Sequence, residues 1–146
     1  MRKRTESREA ALKVLYQAEI TRREISVASE NFWADREDID DTVLKFCERI
    51  TSGVQKHFQE IDDKIVHYAA NWQLKRMAVI DRNILRIGVF EMLFTSDVPP
   101  KVCINEAVEL AKKYGDLDSS KFVNGILDKI HKVEILSKDK DHEPVG

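Results

Sequence analysis

The sequence predicts an all-α fold, and three observations carry that prediction. Apolar residues recur three and four positions apart through most of the chain, the period of a helix face rather than of a strand. Only five Gly and three Pro occur in 146 residues, too few for the many turns of a β-sandwich or β-barrel. One segment, Val79 to Phe94, is apolar around most of a helix circumference, as the central helix of a domain would be.

The elements follow in order. Ala11, Leu12, Leu15 and Ala18 keep helical spacing and Val14 widens their stripe, which predicts a first helix from about Thr5 to Ile20. The acidic stretch from Arg23 to Asp41 is less regular and is expected to hold a short helix around Ser29 to Ala34. Asp40 and Asp41 are cap residues for a long helix carrying Val43, Leu44, Phe46, Cys47, Ile50 and Val54. Ile61, Ile65 and Tyr68 mark the next helix, with Ala69 beside them. Ile80, Ile84, Leu85, Ile87, Val89, Phe90, Leu93 and Phe94 fill the central one. Val98-Pro99-Pro100 ends it, because proline cannot continue the hydrogen-bond ladder. INEAVELAKKYG then reads as a helix starting at Asn105 or its neighbour, with Gly115 where a left-handed cap residue would stand. Asp118, Ser119 and Ser120 are N-cap candidates for a last helix carrying Phe122, Val123, Ile126, Leu127 and Ile130. The expected architecture is a single compact helical domain over residues 1–136, made of two small bundles that meet near Tyr68 to Met77. A polar, flexible tail follows over 137–146.

Composition excludes several classes of function. Charged residues make up 34% and hydrophobic residues 42%, which gives a large solvated surface around a real core. The longest stretch without Asp, Glu, Lys or Arg is Ile65 to Leu74, ten residues, where a membrane span needs about twenty. MRKRTESREA has no apolar segment behind its charges, so a secretory signal is not expected and a cytoplasmic setting is. Cys47 and Cys103 form no CxxC and read as free thiols in a reducing compartment. His57, His67, His131 and His142 place no two imidazoles on one helical face, so no metal site is expected. The glycines form no phosphate-cradling loop, and no cofactor is expected. Carboxylate pairs such as Asp40/Asp41 and Asp62/Asp63 are adjacent, so they point to different faces and do not suit acid–base catalysis. A binding protein is favoured over an enzyme.

The net charge of −2 is unevenly spread. Residues 1–23 carry seven Lys/Arg against three Asp/Glu, whereas residues 24–63 carry four against eleven. Arg2, Lys3, Arg4 and Arg8 cluster at the basic end, with Arg4 and Arg8 four apart on one helical face. An extended basic arm that folds on binding would suit RNA phosphates. On charge alone, a solvated helix end is the commoner explanation. A second constellation is Asp118-Ser119-Ser120-Lys121-Phe122. There a helix N-terminus would attract phosphate, Lys121 would add charge, Phe122 would offer a stacking face and Asp118 would accept from base edges. Taken alone, Phe122 is better explained by burial, as most aromatic residues are. Tyr16 falls at the edge of the first apolar stripe, where its hydroxyl would face a partner. Asp81 sits at the start of the central helix, where a carboxylate favours the dipole. On physics alone both read as structural.

The run VPPKVCINEAVELAKKYGDLDSSKFVNGILDK, from Val98 to Lys129, resembles the signature of the bacterial NusB transcription antitermination factors. NWQLKRMAVIDRNILRIGVFEM, from Asn71 to Met92, is similar to the preceding helix pair of that family, and REAALKVLYQAE, from Arg8 to Glu19, to its first helix. The resemblance covers nearly the whole chain and is loosest over residues 24–63. It implies an all-helical, non-enzymatic protein of two helical subdomains. Such a protein binds boxA, a single-stranded RNA element of ribosomal RNA transcripts, together with NusE, a small-subunit ribosomal protein. The complex helps RNA polymerase resist termination. The resemblance implies RNA contacts from Arg2, Lys3, Arg4 and Arg8, and from Asp118, Ser119, Lys121 and Phe122. It implies a NusE-facing surface at Tyr16 and Asp81. Thr5, Glu6 and Ser7 interrupt the basic run where some members continue with arginines, and Lys75 stands where some have an acidic residue. Monomers and homodimers both occur in the family. Ribosomal RNA cytosine methyltransferases carry a similar N-terminal module, but 146 residues leave no room for their glycine-rich cofactor domain, so the stand-alone factor is expected. The competing class is a helical protein adaptor with no RNA role.

Overall fold

The structure of the protein, a computed structural model, describes residues 2–69 and 73–137. Among these residues all regular structure is helical, with seven α-helices. Helix α1 (Arg2–Thr21) starts ahead of the expected Thr5. Arg2, Lys3 and Arg4 are good helix formers, and the Ser7 hydroxyl donates back to the Lys3 carbonyl (2.7 Å). It stops where Arg22 takes a left-handed backbone, φ 57°. Helix α2 (Ile25–Ala34) is longer than the short helix expected, because Ile25 and Ala28 are already buried. Helix α3 (Asp41–Lys56) begins as expected, with the Asp40 carboxylate accepting from the N–H groups of Thr42 (2.8 Å) and Val43 (3.2 Å). Helix α4 (Phe58–Tyr68) follows, then a 3-10 turn at Leu74–Arg76.

Helix α5 (Val79–Phe94) has the bounds its apolar pattern predicts. Helix α6 (Pro100–Tyr114) begins ahead of the expected Asn105. Pro100 fits the first helical position, where its missing N–H would have had no partner anyway. Helix α5 has already ended at Phe94, before an extended Thr95, so the dipeptide opens α6 and, contrary to expectation, does not itself close α5. Helix α7 (Ser119–Ile130) runs on into a π-helical turn at His131–Leu136. Of the polar tail, Ser137 is helical and residues 138–146 lie outside the described residues.

Helices α1, α2 and α3 pack on one another, and α4, α6 and α7 gather with α5. Helix α5 joins the two bundles, packing on α1 and α3 as well. The chain passes between bundles at His57, not near Tyr68 to Met77 as expected. His57 ends α3, with its N–H donating to the Gly53 carbonyl (3.0 Å), and opens α4. Its imidazole stacks on Phe94 at 4.2 Å, which fixes the corner to α5. Gly53 is needed for close approach, since a Cβ there would lie inside the Phe90 ring.

The core is continuous. Ile50, Val54, Ile61, Ile65, Ile84, Leu85, Val89, Val123, Leu127 and Ile130 are all fully buried. Each such side chain contributes about 1.5–3 kcal/mol relative to exposure. Arg86 of α5 donates bidentately to Asp62 of α4 (2.8 and 3.0 Å) and to Glu19 of α1 (2.8 Å), and Arg82 closes on the same Glu19. These pairs fix where α1 and α4 sit against α5. Among the described residues, no helix is long and apolar enough to cross a membrane.

Candidate nucleic-acid interface

Because α1 starts at Arg2, its cations stand on a helix rather than on an extended arm. Arg2 is exposed and lies 4.0 Å from Glu6. Lys3 is exposed and pairs with Asp40 at 3.1 Å. Arg4 lies over the ring of Phe46, 4.5 Å from its centre, with Nη2 3.5 Å from Asp97 Oδ2. Arg49 of α3 joins it, gripping both oxygens of Asp97, with Nη1 to Oδ2 at 2.9 Å. The Arg49 guanidinium is 5.3 Å from the centre of the same Phe46 ring. Held this way, the Asp97 carboxyl is lowered to about 2. Sequence reasoning missed Arg49 and Asp97. The signal for Arg49 was present, since it lies three residues after Phe46 and shares its helix face.

Arg8 does not belong to this exposed cluster. It is 1% exposed, and its guanidinium donates bidentately to Glu91 of α5 at 2.7 and 2.8 Å. Its Nη1 stands 3.6 Å from Glu106 of α6. The expected phosphate contact from Arg8 is therefore corrected: the side chain is an internal clamp between α1, α5 and α6. A charge spent on a buried carboxylate is not available to a ligand.

The loop between α6 and α7 is tightly wound. The Asp116 N–H donates to Ser119 Oγ (3.0 Å), while the Asp118 N–H (3.0 Å) and the Ser119 hydroxyl (3.2 Å) donate to Asp116 Oδ1. Ser119 is 1% exposed, so its hydroxyl is spent inside the turn and the expected RNA contact from it is also corrected. Gly115 is extended, φ −91° and ψ −169°, and not left-handed as expected. Glycine is required there for room, because a Cβ would collide with the Ser119 side chain and lie 2.8 Å from the Ala111 carbonyl oxygen. Asp118 precedes α7 without a side-chain capping bond and is exposed, as is Lys121. Phe122 is partly buried against the core, between the two readings the sequence left open.

Asp81 sits beneath this loop. It is 9% exposed and its Oδ1 is enclosed without a hydrogen-bond partner. Burial pushes its carboxyl up, the Ser119 hydroxyl opposes the rise and the Asp116 charge adds to it. The start of α7 thus already faces two carboxylates, which counters the attraction a bare helix N-terminus would have for phosphate. The expectation that Asp81 faces a partner is corrected to a buried position behind the surface.

Tyr16 is 39% exposed, as its place at the stripe edge predicts. Helices α1 and α6 are tied by Thr5 to Glu106 (3.0 Å), Glu9 to Lys113 (2.9 Å) and Glu9 to the Tyr114 hydroxyl (3.0 Å). Lys13 lies 5.9 Å from the Tyr114 ring centre. The end of α6 and its following loop therefore lie beside the middle of α1. Arg4 and Tyr16 stand about 18 Å apart along α1 at 1.5 Å per residue. Burial pushes the thiols of Cys47 and Cys103 up to about 12, so both stay protonated and unreactive at neutral pH. Among the described residues, no group of His, Cys, Asp or Glu is placed to hold a metal ion.

Fold and surface define a class of protein: a two-bundle, all-helical module with exposed cations on its first helix and at the start of its last. The chain belongs to the NusB family, whose model matches residues 5–132. It is 48% identical over 128 residues to the transcription antitermination protein NusB of Anaeromyxobacter sp. (strain Fw109-5), covering 88% of this chain and 89% of that one. Its fold matches NusB of T. maritima with a TM-score of 0.84 at 37% identity, over 94% of this chain and 96% of that one. It also matches a chain from a crystal structure of the antitermination factors NusB and NusE in complex with dsRNA. That match has a TM-score of 0.82 at 28% identity, over 90% of this chain and 98% of that one.

Proposed function

We infer that this chain is a non-enzymatic transcription antitermination factor. It binds boxA-type RNA of ribosomal RNA transcripts jointly with NusE and helps RNA polymerase pass termination sites. The observation that carries this reading is the fold match, over 90% of this chain, to a chain from a solved complex of NusB, NusE and dsRNA. The shared name of the curated relatives supports it. The protein works in the compartment that holds RNA polymerase, the cytoplasm.

Arg2, Lys3, Arg4 and Lys121 hold phosphates, because they are cations at the surface of the first turns of α1 and at the start of α7. Phe122 stacks an unpaired base on the part of its ring that the core leaves uncovered, and Asp118 accepts from that base. NusE docks on the face around Tyr16. Asp81 supports that face from below by holding the start of α7. A homodimer that covered either surface would be a storage form, and the active form is the one with both surfaces open.

The test is readthrough of a terminator downstream of a boxA element, in a bacterial transcription extract depleted of this protein. Adding the chain back restores readthrough, a scrambled boxA abolishes the response, and Phe122→Ala weakens RNA binding by about 1–3 kcal/mol. Readthrough that ignores the boxA sequence would contradict the reading. A Phe122→Ala protein with lowered thermal stability and unchanged RNA binding would return that side chain to the core.

A further inference from the structure

We propose that Arg4 and Arg49 form a two-arginine phosphate clamp, and that Asp97 occupies it in the free protein as an internal stand-in for the phosphate. The proposal rests on the RNA-binding reading above and adds a site and a control to it. Three guanidinium groups stand over the Phe46 ring, those of Arg4 (4.5 Å), Arg8 (5.2 Å) and Arg49 (5.3 Å). Arg8 is neutralised inside by Glu91. The other two converge on one carboxylate, which leaves one positive charge in excess.

The geometry is that of oxyanion recognition. Arg49 presents both terminal nitrogens to the two oxygens of Asp97, and Arg4 adds a third nitrogen at 3.5 Å from Oδ2. A phosphodiester offers two unbridged oxygens and a single negative charge to the same fork. Phe46 is 8% exposed and backs both guanidinium planes, so the pair is held in place before any ligand arrives.

The site is also open. The side chains of Arg4, Arg49 and Asp97 are 41%, 37% and 46% exposed. Asp97 lies on the connection between α5 and α6, outside any helix, so its carboxylate can swing away without breaking a backbone ladder. The pair is solvent-screened at this exposure, and a phosphodiester returns two oxygens and one negative charge to both guanidinium groups, so exchange leaves neither arginine unpaired. Arg2 and Lys3 precede Arg4 on α1 and extend the positive surface, so the incoming phosphate is one of a strand and not a lone ion. Asp97 then sets affinity: it competes with non-specific phosphates and yields to RNA held elsewhere by Lys121 and Phe122.

The experiment is an anisotropy titration of labelled boxA-type RNA at two salt concentrations, with the folded state of each variant checked by thermal melting. Asp97→Asn binds about three- to tenfold tighter than wild type, and Arg49→Ala binds weaker by a similar factor with a shallower salt slope. Asp97→Asn gives no gain in an Arg49→Ala background. Asp41→Asn, which removes an exposed carboxylate paired with Lys45 and about 12 Å from Arg49 along α3 at 1.5 Å per residue, changes affinity less than about twofold. Should Arg49→Ala fail to fold, Asp97→Asn against Asp41→Asn decides alone. Wild type that binds RNA while Asp97→Asn binds it equally, or gains no more than Asp41→Asn does, overturns the clamp and leaves the RNA reading standing. Wild type that binds no RNA overturns both.

Discussion

Arg4 and Arg8 stand four residues apart on α1 and have opposite fates. Arg4 is at the surface with Arg49 and Asp97, while Arg8 is sealed against Glu91. Residue type misled the sequence reading, and helical register would have corrected it. Arg8 precedes Ala11, Leu12 and Leu15 at the spacing of the buried stripe. The pair has a measurable signature. Removing one partner of a buried ion pair costs about 3–5 kcal/mol, because a charge is left without a counterpart, whereas replacing both by apolar groups costs far less. Urea unfolding should therefore show Glu91→Leu as severely destabilised and Arg8→Met/Glu91→Leu as largely recovered. The recovered double variant should bind RNA as wild type does. A stable double variant with weak RNA binding would return Arg8 to the phosphate contacts.

Among the elements, α5 was the most legible and the start of α6 the least. The apolar surround of Val79 to Phe94 is a dense pattern that no local feature contradicts, and its bounds match. Pro99-Pro100 was read as an end, but α5 stops at Phe94 and the pair serves as the beginning of α6. Gly115 was placed correctly at the end of α6, but for the wrong physical reason. Its role is space for Ser119 rather than a positive φ. Gly115→Ala is therefore expected to destabilise the protein by about 1–3 kcal/mol through overpacking, read as a lowered midpoint in urea. It should also loosen the turn that presents Asp118 and Lys121, and weaken RNA binding along with stability. Full stability in Gly115→Ala would mean that the loop can shift, and that its wound geometry is not needed.

At the scale of the molecule, two bundles share α5, and the proposed ligand surfaces are the corner of α1 and α3 at Arg4 and Arg49, the start of α7 and the face around Tyr16. The all-helical fold was legible because periodicity and composition agree throughout. The candidate site was legible only in part. The surface cations and the exposed Tyr16 follow from charge and stripe position. The burial of Arg8, Ser119 and Asp81, and the meeting of Arg49 with Asp97, depend on contacts between elements far apart in sequence. The joint recognition of RNA and NusE proposed above rests on the assembled surface, so neither ligand alone tests it fully. The most direct measurement is anisotropy of a fluorescent boxA-type RNA against a scrambled one, with and without NusE, at two salt concentrations. The account predicts salt-dependent binding that becomes tighter and selective for boxA when NusE is present. Equal binding of both RNAs with NusE present would reduce the protein to a basic surface, and binding to neither would make it a helical adaptor without an RNA role.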